Sequence, residues 1–82
     1  MYSLYKVIDV CVGQYAIFGI IRNIETDELQ YVKVPSYNFY VDEVEKIKTR
    51  MEGRCPTDLV FEASQENLGK GLYTTIINFI NL

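Results

Sequence analysis

The chain is 82 residues long, 49% hydrophobic and 13% aromatic, with a net charge of −3. That length suits one domain, residues 1–82, and the composition is too apolar and too weakly charged for an intrinsically disordered chain. Histidine is absent, which removes Ser-His, Cys-His and His-metal chemistry in one step.

Ser3 to Val12 and Tyr15 to Arg22 are rich in Val, Ile and Tyr and predict two strands, with Gly13-Gln14 as the tight turn between them. Asp9 lies inside the first, between Ile8 and Val10. It reads as a solvent-facing position of a half-buried strand, sharing its polar side with Lys6, and the functional version is a recessed carboxylate in a partner-binding face. Asn23 to Glu28 is an acidic break. Its Glu25, Asp27 and Glu28 read as a solvated turn, since a calcium loop needs a glycine and oxygen ligands at alternating positions. Leu29 to Val34 resumes an extended pattern that Pro35 ends.

Tyr40, Val44, Ile47 and Met51 recur at the spacing of an apolar helical stripe. Ser36 or Asn38 is placed to cap its start, Asp42 and Glu43 suit its early turns, Arg50 its last, and Gly53 its end. Lys46, Arg50 and Arg54, with Lys48 on a flank, form a basic stripe that reads as the solvated face of this helix. Cys55 to Asp58 is a turn, Leu59 to Ala63 a short strand and Ser64 to Gly71 a polar loop. Leu72 to Asn81 fits two patterns. A helix would put Tyr73, Ile76, Ile77 and Ile80 in the core, but Thr, Ile, Tyr and Phe prefer strands, and Gly69-Lys70-Gly71 offers no helix cap. The expectation is a strand. The order βββαββ then predicts an α+β domain of two layers, mainly antiparallel sheet with one helix on one face.

Two cysteines, Cys11 and Cys55, are too few for a disulfide scaffold and lack metal-ligand spacing, so free thiols are expected, with a bridge only in an exported chain. No metal or cofactor is expected. Gly69-Lys70-Gly71 falls short of a phosphate-binding loop, which needs a longer glycine spacing and Ser or Thr where Leu72 stands. Asp9 breaks the continuity a signal peptide requires, and no stretch reaches the ~20 apolar residues of a membrane span, so a cytoplasmic location is expected. The acidic balance disfavours nucleic acid.

Seven tyrosines in so short a chain suit core and edge packing where interior volume is scarce, or protein contact, because tyrosine offers apolar area with a polar tip. Tyr31, Tyr37, Phe39 and Tyr40 lie close together around the strand-to-helix junction and are the expected partner-binding residues. The surplus of apolar side chains over available interior also points to a homo-oligomer. The leading functional expectation is therefore a non-enzymatic accessory or inhibitor protein, of the kind mobile elements encode, that binds another protein through an aromatic sheet face or edge. The competing one is a small-ligand or nucleotide sensor using Gly69, Lys70, Gly71 and Tyr73.

Overall fold

A computed structural model describes residues 1–56 and 58–82. Four strands, β1 (Ser3–Val12), β2 (Ala16–Asn23), β3 (Leu29–Pro35) and β4 (Val60–Ala63), form one antiparallel sheet in the order β3-β2-β1-β4. Two helices, α1 (Val41–Arg50) and α2 (Leu68–Ile80), pack on one face of it. The fold is the expected two-layer α+β arrangement, but the order along the chain is βββαβα. The turn expected over Cys55 to Asp58 includes residue 57, which lies outside the described residues.

The first three strands follow from local signals. The β1–β2 hairpin closes with the Gly13 N–H donating to the Ala16 carbonyl at 2.8 Å. In the β2–β3 turn, Asn23 Oδ1 accepts from the backbone N–H groups of Glu25 and Thr26, an Asx-type arrangement that orders the tip. Asp27 takes the left-handed φ of 65° there, a conformation that Asp tolerates better than most residues.

Strand β1 carries a bulge. Val7 pairs with Ile21 and Asp9 with Ile20, so Ile8 is an extra residue opposite the partner strand. The bulge resets the alternation: Tyr5 and Val7 face the core before it, Val10 after it, while Ile8 is exposed and Asp9 half-exposed. Asp9 Oδ1 accepts from the Val10 N–H at 2.8 Å, so the carboxylate satisfies a backbone donor at the irregularity.

Helix α1 starts later than Ser36 or Asn38 would place it. Those residues form a 3₁₀ turn, and Tyr40 is the N-cap, with its N–H donating to Glu43 Oε1 at 2.9 Å. Gly53 does take the left-handed conformation, with φ of 71°. Of the stripe read from the sequence, Ile47 and Met51 are fully buried, Val44 is half-buried and Tyr40 is exposed.

The largest correction concerns the C-terminal segment, which is helix α2 and not a strand. Leu68, Leu72, Ile76 and Ile80 recur every four residues and are all buried, while Tyr73 and Ile77 are half-buried. The physical reason is the sheet's unmet burial. Tyr5, Val7, Val10, Ile17, Ile21, Val32 and Val34 present a broad apolar face that α1, with Ile47 buried and Met51 buried at its C-cap, is too short to cover. Tertiary burial therefore overrides the strand propensity of Thr, Ile and Phe. Thr75 is accommodated by its hydroxyl donating to the Gly71 carbonyl at 2.7 Å. At the far end Arg50 of α1 donates to the Ile80 carbonyl at 2.6 Å, satisfying a terminal acceptor of α2 and tying the two helices together. Arg50 is therefore engaged in the fold and is not simply part of a solvated basic stripe.

Two features let α2 lie close to the sheet. Gly19 is buried on β2, and a Cβ there would overlap Leu72 Cδ2, with Leu72 Cγ only 3.5 Å away. Gly71 faces β4 in the same way, a Cβ falling 2.9 Å from the Phe61 ring. Tyr5, fully buried, packs on Phe61 with ring centroids 5.8 Å apart, and its hydroxyl accepts from Gln65 Nε2 at 2.7 Å.

The candidate interaction face

With both helices on one side, no element among the described residues covers the opposite face of the sheet. Its side chains follow from the register. Cys11 of β1, Phe18 of β2 and Lys33 of β3 form one row, Asp9, Ile20 and Tyr31 the next, and Lys6, Arg22 and Leu29 a third. The bulge projects Ile8 between the second and third rows. An antiparallel sheet with one solvated face normally alternates apolar inward and polar outward. Here the outward positions at the centre are apolar apart from Asp9: Phe18 is 43% exposed, Tyr31 is 80% exposed, Ile8 is exposed and Ile20 half-buried. Leu4, Leu29 and Val60 extend the patch toward the other end of the strands.

Charges sit around this apolar centre. Lys33 flanks it at one end and Lys6 and Arg22 at the other, with Arg22 Nε 3.4 Å from Asp27 Oδ1 on the exposed turn. Asp9, Cys11, Phe18, Ile20 and Tyr31 line a shallow depression of about 220 Å³, apolar except for the Asp9 carboxylate. Asp9 is half-exposed at the rim of this depression, and one of its oxygens serves the Val10 amide.

The expected partner-binding residues do not form one surface. Tyr31 stands on the bare sheet face. Tyr37 and Tyr40 are 85% and 77% exposed at the 3₁₀ turn and the start of α1, near the β1–β2 hairpin, where the Ser36 N–H donates to the Tyr15 carbonyl at 2.9 Å. Phe39 is a core residue, only 7% exposed, its ring 5.0 Å from that of Tyr73. Its neighbours in sequence are exposed because the chain turns there and drops one ring inward.

The residues of the ligand-sensor reading are also displaced. Gly69, Lys70 and Gly71 are not a loop but the first turn of α2, and Tyr73 is half-buried against the core. Gly69, Lys70 and Tyr73 border a groove beside Lys33 and Asn38, whereas Gly71 turns away toward Phe61.

Missing from the sequence reading are Ile8, Phe18 and Ile20. The run Ala16-Ile17-Phe18-Gly19-Ile20-Ile21 held the signal, since it is apolar at both parities. Such a strand has something to cover on each face.

Cys11 is exposed on this face and Cys55 is half-buried at the edge of β1; both are free thiols. Burial, and then the nearby Asp9 carboxylate, push the Cys55 thiol from 9.0 up to about 11, partly offset by a hydrogen bond with the Val10 backbone. That suppresses the thiolate on which cysteine nucleophilicity depends. Among the described residues no charged side chain is buried, and no three Cys, Asp or Glu side chains gather in a metal-binding group. Neither described helix is long and apolar enough to cross a membrane. No protein-family model, curated protein or solved structure matches the chain.

Proposed function

We propose that this chain is a non-enzymatic protein-interaction module, a small cytoplasmic accessory or inhibitor protein that binds another protein through the bare face of its sheet. The observation that carries the reading is the set of outward apolar side chains at the centre of that face, Ile8, Phe18, Ile20 and Tyr31. Apolar centres with charged rims are how protein interfaces are commonly organised, and aromatic anchors carry much of their energy. Tyr37 and Tyr40 lie off this face and would act as a flanking contact.

Affinity capture from source cells with the wild-type chain and with Ile8→Lys and Ile20→Lys variants tests the reading. A protein retained in stoichiometric amount by the wild type should be lost at least tenfold with either lysine, a change of about 1.4 kcal/mol. Both variants should keep a cooperative melting transition, since both positions lie on the solvent side of the sheet. Undiminished capture by both folded variants would remove this face from the binding surface.

A further inference from the structure

Strand β3 is an edge of the sheet, and its free side has a pattern of its own. The Asn23 N–H bonds the Glu28 carbonyl and the Ser36 N–H bonds the Tyr15 carbonyl, which fixes the phase of the β2–β3 ladder between them. Residues 30, 32 and 34 therefore turn their backbone groups toward β2. Leu29, Tyr31 and Lys33 turn theirs outward, each presenting an N–H and a C=O on the same side, and among the described residues no partner takes them. The strand is seven residues long with unbroken register, its proline lies at the last position, and the bulge of the sheet is in β1. Of the devices that blunt an edge, a bulge and an interior proline are lacking, and Lys33 is the single charged residue of the strand. The start of α2 lies beside the Lys33 end of this edge, where Gly69 adds no side chain. The other edge, β4, is only four residues long.

We propose that a second copy of this chain pairs with β3 in antiparallel fashion, about a two-fold axis at Tyr31, to make one continuous eight-stranded sheet. This contact uses the strand edge and shares only Tyr31 with the sheet face proposed to bind another protein. An isologous contact needs a self-complementary strand, and this register supplies one. Tyr31 exchanges two bonds with Tyr31 of the second copy, and Leu29 and Lys33 each do the same with Lys33 and Leu29 of that copy. All three outward amides are then paired. Sliding the strands one way brings Pro35, which has no N–H, into the ladder and in the extreme sets Lys33 against Lys33, a repulsive cross-strand pair. Sliding them the other way brings in Asp27, which has left the strand conformation and whose N–H already bonds the Asn23 carbonyl at 2.7 Å. Around Tyr31 two exposed aromatic rings become a cross-strand pair, a stabilising combination.

Sedimentation equilibrium on the wild-type chain should give a concentration-dependent rise from the monomer mass to twice that mass. Tyr31→Pro should give the monomer at every concentration, because it deletes only an outward donor and puts the ring in the partner's path. Disulfide trapping fixes the register, in a background where the exposed Cys11 is changed to serine. Hydrogen-bonded pairs have Cα atoms about 5.5 Å apart, within disulfide range, so Tyr31→Cys should cross-link two copies at least tenfold faster than Lys33→Cys. The latter's thiols would be about 13 Å apart along the strands. A mass that stays monomeric to about millimolar concentration, or cross-linking of Lys33→Cys as fast as Tyr31→Cys, would overturn the proposal. The trapping result stands as the test if Tyr31→Pro does not fold. Ile8→Lys and Ile20→Lys should leave the dimer intact, which separates this contact from the sheet-face contact.

Discussion

Ile76→Ala should lower the unfolding free energy by about 3–4 kcal/mol in a urea or guanidinium titration. The side chain is fully buried at the centre of α2, one helical turn from both Leu72 and Ile80, so its loss leaves a cavity between helix and sheet. A domain of this length has a total stability on the order of 4–12 kcal/mol. One methyl-rich side chain therefore carries a large share of it, and the variant should be partly unfolded at physiological temperature. A loss below about 1 kcal/mol would mean that the C-terminal segment does not lie on the sheet.

Gly19→Val should cost about 2 kcal/mol, through overlap with one side chain. Its new Cβ would meet Leu72, which is fully buried and has little room to move. Leu72→Ala alone should cost about 3 kcal/mol by opening a cavity. Combined, the two should cost less than their sum by about 1 kcal/mol or more, because the valine occupies space that the leucine has left. The same denaturant titrations on both single variants and the double variant measure this coupling. Strict additivity would place Leu72 away from Gly19 and contradict the packing of α2 on β2.

The failure at residues 72–81 has a physical cause. Helix α2 begins without a side-chain cap, since Asn67 makes no capping hydrogen bond, and it opens with Leu68-Gly69-Lys70-Gly71, which resembles a loop. Its first core residue, Leu68, falls inside that stretch, so the stripe of four reads as a fragment. What makes the segment helical is the area of sheet left uncovered by α1, a quantity that no local window contains. Strands β1 to β3 and the body of α1 were legible because turn residues and apolar periodicity agree there. Even so, the bulge at Ile8–Asp9 left no signature, and it is this bulge that turns Asp9 outward after two inward-facing positions.

The candidate site was legible only in part. Tyrosine enrichment pointed to contact surface or packing; Tyr31, Tyr37 and Tyr40 are exposed. Proximity in sequence, however, grouped them with Phe39, which the chain buries, and separated Tyr31 from Phe18 and Ile20, its neighbours across the ladder. Strand register brings these together, and register depends on turn geometry that the sequence specifies only loosely.

Two helices seal one face of this sheet, while among the described residues the other is an open, largely apolar surface. The most direct measurement is the effect of an inert, soluble paramagnetic agent on side-chain NMR relaxation. Resonances of Ile8, Phe18, Ile20 and Tyr31 should relax strongly faster with added agent, while Ile21, Val32 and Ile76 should be nearly unaffected. Protection of Phe18 and Ile20 equal to that of Ile21 and Ile76 would contradict the account, because the face assigned to a partner would then already be covered.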